Sequence, residues 1–147
     1  MLKLYPEYSS KLTGNAIRDY IYGGRGVVTL KSPTGVHHTY MFNKPRNEDI
    51  FPSDVLFVYA VHDGHKLFYV GMVEDDYFRL TRHSRFDNHT EIVKGARYIM
   101  KMMHYPNMET PMELYHQGIC AVCGRPLTNP KSIERGMGPA CRKRLSC

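Results

Sequence analysis

The cysteines of this chain are confined to its last 28 residues. Cys120 and Cys123 form a C-x2-C pair, Cys141 and Cys147 follow, and residues 1–119 contain no cysteine. Disulfides of small secreted proteins normally join distant parts of a chain. A clustered set, in a chain whose N-terminus has no apolar signal segment, is typical of a metal site, and thiolates favour zinc. The sequence therefore predicts a zinc-binding C-terminal module in a cytoplasmic protein.

The module, residues 112–147, is too short to bury a stable core, so it needs either the metal or docking on the rest of the chain. Gly124 follows the C-x2-C pair and permits the positive φ of a zinc knuckle. Pro139 suits the first turn of a helix, which would place Cys141 near a helix N-terminus, where a thiolate is stabilised. A knuckle followed by a ligand at the start of a helix predicts a treble-clef-like module.

The fourth zinc ligand stays open between Cys147 and a histidine. On a helix that holds Cys141 in its first turn, the positions three and four residues later are an arginine and a leucine, and neither binds zinc. Cys147 reaches the ion only if the helix ends early or the chain curls back. His116, four residues before the knuckle, is the alternative, and His104 is a more distant one. We prefer Cys147, because thiolates bind zinc strongly and a chain end adapts easily.

The rest of the chain predicts an α+β fold, an antiparallel meander of about five strands with two helices. The predicted strands cover residues 26–31, 36–43, 54–62, 66–74 and 77–81, and the predicted helices cover residues 13–22 and 91–104. The dipeptide Asp63-Gly64 predicts a hairpin turn, and two prolines within residues 105–111 predict a linker. The chain thus divides into an α+β domain (residues 1–105) and a zinc module (residues 112–147).

Positive charge is concentrated in the module. Residues 120–147 have a net charge of +5, whereas residues 1–119 have a net charge of +1. The cations of the module are Arg125, Lys131, Arg135, Arg142, Lys143 and Arg144, against Glu134 alone. Zinc with four thiolates adds −2 and leaves about +3. This charge predicts contacts with the phosphates of a nucleic acid.

A second basic stretch covers residues 79–101. Its basic residues are Arg79, Arg82, His83, Arg85, Lys94, Arg97 and Lys101. The aromatic residues Tyr77, Phe78, Phe86 and Tyr98 are interleaved with them. Arg82 and Arg85 are candidate phosphate contacts, with the aromatic rings stacking on bases. The alternative is that the aromatic residues belong to the core and the charges form a solvated face.

The module resembles a family of small proteins of phages and mobile elements that have a zinc-finger-like C-terminus. The resemblance lies in residues 120–128 (CAVCGRPLT), in Ser132 and Ile133, and in residues 136–141 (GMGPAC). It implies a phage or mobile-element origin and zinc binding, and it supplies no biochemical activity. The shared pattern contains three cysteines, so it leaves the fourth ligand open.

The sequence predicts no enzyme. None of the eight histidines lies in residues 120–147, which argues against a His-Asn-His nuclease, and no glycine-rich nucleotide-binding loop is present. No apolar run approaches the ~20 residues that span a bilayer, so we expect no membrane partner. We expect a non-enzymatic accessory protein that binds nucleic acid. The alternative is an inhibitor or adaptor that docks on a host protein, such as a defence or replication factor.

Overall fold

A computed structural model describes residues 3–45 and 54–141, and these residues form one antiparallel sheet with seven strands. The strands are β1 (Ser10–Lys11), β2 (Arg25–Lys31), β3 (His37–Asn43), β4 (Leu56–His62), β5 (Lys66–Glu74), β6 (Tyr77–Arg79) and β7 (Glu113–His116). The helices are α1 (Ala16–Ile21), α2 (Glu91–His104) and α3 (Pro130–Arg135), with a 3-10 helix at Pro6–Tyr8. None of the helices described is long and apolar enough to cross a membrane.

Strands β2 to β6 form the predicted meander, in which each strand pairs with the next one along the chain. The turn between β4 and β5 has positive φ at both Asp63 (52°) and Gly64 (75°). The turn between β5 and β6 has the same form at Asp75 (52°) and Asp76 (67°). Two consecutive positive φ values are typical of the turn that matches the twist of a hairpin. The hairpin predicted at Asp63-Gly64 is confirmed.

The prediction of about five strands is wrong, because two short strands extend the sheet beyond β2. The sheet runs in the order β1-β7-β2-β3-β4-β5-β6, so β7 lies between β1 and β2. β1 has two residues and β7 has four, and both are too short to show a clear alternating pattern. Their pairing joins residues far apart along the chain, such as Ser10 with His116 and Val28 with His116. A local pattern cannot reveal such a contact.

Helices α1 and α2 pack on one face of the sheet. Ala96, Ile99 and Met103 lie on the buried face of α2, and the helix begins after Thr90, whose side-chain oxygen accepts a hydrogen bond from the N–H of Val93. This cap satisfies one of the unpaired N–H groups at the start of the helix. The Tyr40 hydroxyl, from β3, donates a hydrogen bond of 2.7 Å to the carbonyl of Ile92 and so ties the helix to the sheet.

The C-terminal residues share the core of the sheet. Leu114, Ala121 and Met137 belong to the same buried apolar cluster as Val28 and Tyr40. The strand β7, inside the range predicted for the zinc module, is therefore a strand of the main sheet. The division into residues 1–105 and 112–147 stays a prediction, but the described part of the module is docked on the sheet rather than separated from it.

Candidate metal centre

The knuckle forms directly after strand β7. Gly118 adopts a positive φ of 80°, and a Cβ at this position would lie 2.3 Å from the carbonyl oxygen of Tyr5, so only glycine fits. The N–H of Cys120 donates to the carbonyl of Arg125 (2.8 Å), and the N–H of Gly124 donates to the carbonyl of Cys120 (3.0 Å). Gly124 has a φ of 74°, as the sequence predicts. This tight turn brings the second thiol back beside the first.

The third cysteine arrives on a separate turn. Helix α3 begins after Asn129, whose side chain caps it, and ends at Gly136 in the left-handed conformation. After Gly136 the chain enters a helical turn at residues 139–141, which includes Cys141. The helix start predicted at Pro139 is therefore present, whereas α3 has no counterpart among the predicted elements.

The sulfur atoms of Cys120, Cys123 and Cys141 all lie within 4.8 Å of one another, and the three thiols are free. Two sulfurs bound to one tetrahedral zinc at ~2.3 Å stand about 3.8 Å apart, so a small movement brings the observed cluster to that geometry. Within residues 3–45 and 54–141 it is the one group of three or more potential ligands close enough to hold an ion. The three cysteines can therefore coordinate a metal ion.

The surroundings of the cluster favour a bound cation. Burial raises the pKa of the Cys120 thiol. Hydrogen bonds from backbone N–H groups, led by that of Cys123, together lower this pKa by more than burial raises it, so it lies below its usual range. One of these donors is the N–H of Gly138, 3.4 Å from the Cys120 sulfur. Burial raises the pKa of Cys141 to about 11, and the two neighbouring thiols add to the rise. Three adjacent thiols resist ionising together unless a cation compensates their charge.

The thiols are closed off from solvent to different degrees. Cys120 is 1% exposed and Cys141 is 5% exposed, whereas Cys123 is half-buried. A catalytic zinc keeps an open coordination position for water or substrate, and a structural zinc is enclosed by protein ligands. Two buried sulfurs of three agree with the enclosed type.

His116, the alternative fourth ligand, does not join the sulfurs. It is fully buried on β7 rather than at the surface. Its Nε2 donates to the carbonyl of Ile133, and its Nδ1 accepts from the N–H of Gly118 at 3.0 Å. Burial lowers the pKa of His116, which keeps the ring neutral. Because both ring nitrogens are engaged, His116 binds an ion only after losing one of these bonds.

Four of the predicted functional residues lie outside the described residues. They are the preferred fourth ligand, Cys147, and three predicted phosphate contacts, Arg142, Lys143 and Arg144. The distant histidine, His104, lies at the end of α2 and donates its Nε2 hydrogen to the carbonyl of Asp76 at 2.6 Å. It is not in the thiol cluster.

The predicted phosphate contacts divide between two places. Arg125, Lys131 and Arg135 are exposed on the module, around the knuckle and α3. Arg82 and Arg85 are exposed in the loop after β6, where the N–H of Arg85 donates to the carbonyl of Tyr69 on β5. Four strand spacings, about 19 Å, separate β5 from β7, which leads into the module. The structure does not merge the two groups into one cluster.

Three residues from the N-terminal quarter of the chain contact the module and hold it in place. The sequence analysis did not single them out for this role. The Tyr20 hydroxyl donates to the carbonyl of Ile119 (3.0 Å), and its ring stacks on His116. Gly23 leaves no room for a side chain, since a Cβ there would lie 2.6 Å from that of Ala121. The N–H of Arg25 donates to the carbonyl of Ala121 (2.7 Å). The apolar face of α1 indicates that Tyr20 is buried, but not what it contacts.

The same C-terminal residues carry the one similarity found to known proteins. The model of a family of unknown function (DUF6011) matches residues 112–146. The match covers about a quarter of the chain and includes β7, α3 and the three clustered cysteines. No curated protein and no solved structure matches the chain. The similarity agrees with the residues that carry the resemblance described above, and it brings no activity with it.

Proposed function

We propose that the ion is zinc, held by Cys120, Cys123 and Cys141 with Cys147 as the fourth ligand. Sulfur ligands of this kind select zinc among the common divalent ions, and the C-x2-C spacing is typical of its structural sites. In this proposal zinc orders the module and takes no part in a reaction. The burial of two of the three sulfurs supports a structural role.

We propose further that the chain is a non-enzymatic accessory protein of a phage or mobile element that binds nucleic acid through the module. The observation that carries this proposal is the exposure of Arg125, Lys131 and Arg135, none of which has an ion-pair partner among the described residues. Unpaired cations on a rigid scaffold are available to phosphates. Glu134 is the one acidic residue among them.

Arg25 adds a cation to this surface from outside the module. Its Nη1 donates to the carbonyl of Cys123 at 3.3 Å, and its side chain lies against Gly124. The guanidinium of Arg25 is therefore held beside the knuckle, close to Gly124, which directly precedes Arg125 in the chain. Docking of the module on β2 thus enlarges the basic surface with a charge that the C-terminal sequence does not contain.

The experiment is a salt titration of binding to a labelled DNA duplex, followed by fluorescence anisotropy. If three phosphates are neutralised, affinity falls about 40-fold between 50 and 200 mM salt. The double variant Lys131→Ala/Arg135→Ala should flatten the slope of log K against log salt by about 1.8. The matched control, Lys31→Ala/Lys66→Ala, removes the same charge from the sheet and should leave the slope near that of the parent protein.

Absence of binding at low salt, with zinc bound, contradicts the proposal. A protein captured from host lysate that stays bound after nuclease treatment would then favour the inhibitor or adaptor. Equal slopes for the two double variants would place the contacts elsewhere on the chain.

A further inference from the structure

Two tyrosines near the C-terminal end of α2, one at the start of β6 and one directly after the helix, are highly exposed. Tyr77 is 70% exposed and Tyr105 is 62% exposed, the highest values among the large hydrophobic side chains that the structure describes. Both line a cavity of about 310 Å³, together with Arg97, Lys101 and His104. A second concavity of about 640 Å³ adjoins it and shares Lys101, His104 and Tyr105. Aromatic rings that contribute nothing to a core, set beside cations in a concavity, indicate a binding surface.

The ring of Tyr77 is supported on one side. It stacks on the imidazole of His104, with the ring centres 5.5 Å apart and the planes inclined by 29°. His104 is fixed in turn by its hydrogen bond to the Asp76 carbonyl, and the Asp76 carboxylate accepts two hydrogen bonds from Arg18 at 3.1 Å. We call this stacked pair the Tyr77 platform. Its orientation is set before any ligand arrives, which reduces the entropy lost on binding.

The charged residues that line the smaller cavity are Arg97, Lys101 and Asp76, so its lining is positive on balance. Arg97 is held over the ring of Phe78, at 5.3 Å, and donates to the side-chain oxygen of Asn88. Lys101 lies one helical turn further on and has no ion-pair partner within the described parts of the chain. Of the carboxylates in the turn before Tyr77, Asp76 is paired with Arg18 and Glu74 with Arg79, and Asp75 has no ion-pair partner among the described residues. The C-terminal end of α2 carries a partial negative charge that offsets part of the positive charge of Arg97 and Lys101, but this partial charge is only about half a unit.

We propose that the Tyr77 platform holds an unpaired base of single-stranded nucleic acid, with Arg97 and Lys101 contacting its phosphates. This inference rests on the proposed function and names the form of nucleic acid that the chain takes. A planar base fits on a ring that is already backed by a second ring, and the flanking cations match a phosphate backbone. The bases of a duplex are paired and stacked on one another, so a duplex cannot offer a face to Tyr77.

The test compares Tyr77→Ala with the parent protein on two labelled probes, a thymidine oligonucleotide of about 12 nucleotides and a duplex of the same length, within the site sizes typical of such surfaces. Loss of a stacked base should weaken binding of the single strand about 5- to 150-fold. Binding of the duplex should change less than twofold. Tyr77→Phe keeps the ring and should bind the single strand like the parent protein.

The control is Tyr8→Ala, which removes another exposed tyrosine, on the 3-10 helix, and should not change binding of either probe. Thermal unfolding and metal content are compared across the variants to confirm that each one folds.

Equal losses of affinity on both probes, or no loss on the single strand, overturn the inference and leave the proposed function standing. If the parent protein binds neither probe, the proposed function fails as well. Displacement of the single strand from the parent protein by polyglutamate as readily as by unlabelled oligonucleotide would assign the surface to an acidic peptide instead.

Discussion

The sheet and the C-terminal module are ordered in different ways. Strands β2 to β6 bury a contiguous core beneath α2, with side chains such as Val28, Tyr40 and Val58 fully inaccessible. In residues 118–141 the buried hydrophobic side chains other than cysteine are Ile119, Ala121, Leu127 and Met137. So few apolar groups cannot offset the conformational entropy of the segment. Docking on the sheet supplies part of the difference, and coordination of an ion by the three thiols, as proposed above, would supply the rest.

The contacts of β7 connect the two regions. This strand pairs with β2 on one side and β1 on the other, and it leads directly into the knuckle. The first thiol is therefore anchored to the interior of the sheet, while Cys141 depends on the path through α3. If the proposed ion is bound, we expect its removal to release the module progressively, with the part beyond the knuckle released most.

The largest effect should follow from Cys123→Ser. Two sulfurs cannot hold the ion that three or four hold, and a structural zinc contributes on the order of 10 kcal/mol in isolated finger peptides, although docking should retain part of the order here. We expect metal content to fall from about one ion per chain to nearly none, and residues 118–141 to become sensitive to protease. Hydrogen exchange should still protect β3 to β5.

The matched control is Thr128→Ala, at an exposed position of the module that offers no ligand. Native mass spectrometry and limited proteolysis measure both variants. Unchanged protease resistance in Cys123→Ser would show that docking alone orders the module and that the proposed structural role of the ion is wrong.

The second prediction concerns the docking contact itself, independently of ion binding. Gly23→Ala should lower the free energy of unfolding by about 1–3 kcal/mol, because the new Cβ overlaps the backbone and side chain of Ala121. Gly138→Ala is the control, since a Cβ there meets no atom within 4 Å and the residue has no positive φ. Urea unfolding with zinc in excess measures both. Equal stability of the two variants would mean that the module moves away from Gly23 at little cost.

The same contrast explains which parts of the structure could be predicted. Helix α2 and strand β5 have the bounds that the sequence predicts, because each has a long periodic pattern and a clear cap or turn beside it. The proximity of Cys120 and Cys123 follows from their spacing, because a C-x2-C turn is a local feature. These elements depend on residues close together along the chain.

The contacts that failed to appear in the sequence are all long-range. β7 lies in the range predicted for the zinc module, and nothing in its four residues indicates that it pairs with β2. Nothing local shows that the ring of Tyr20 stacks on His116 or that the carbonyl of Ile133 accepts a hydrogen bond from it. Nothing local marks Gly23 as the point where the module touches α1. Sequence patterns report on periodicity and turns, whereas docking depends on which surfaces meet.

The third prediction tests the sheet region alone. Thr90→Ala removes the side-chain cap of α2 and should lower the free energy of unfolding by about 1 kcal/mol. Thr90→Ser keeps a hydroxyl and should restore most of the loss. Metal content should be the same in both variants, because the hydrogen bond between Thr90 and Val93 involves none of the three thiols. A loss of metal in Thr90→Ala would show that the two regions are coupled more tightly than their contacts indicate.

The smallest effect should be a change in the pH dependence of stability at His116. Its pKa is lowered in the folded protein by burial, so the folded state takes up a proton less readily than the unfolded state. The contribution of the neutral ring to the free energy of unfolding is complete above pH 6.5, the ordinary pKa of histidine, and is lost as pH falls through the folded pKa.

His116→Gln can keep both hydrogen bonds, with an oxygen that accepts from Gly118 and an amide that donates to Ile133. The free energy of unfolding should therefore fall less steeply below pH 6.5 in this variant than in the parent protein, while His62→Gln, at an exposed histidine, should follow the parent protein. Protonation of the thiolates affects all three proteins alike and cancels in the comparison, so identical slopes for His116→Gln and the parent protein would mean that the buried ring already carries a proton or opens to solvent before the module unfolds.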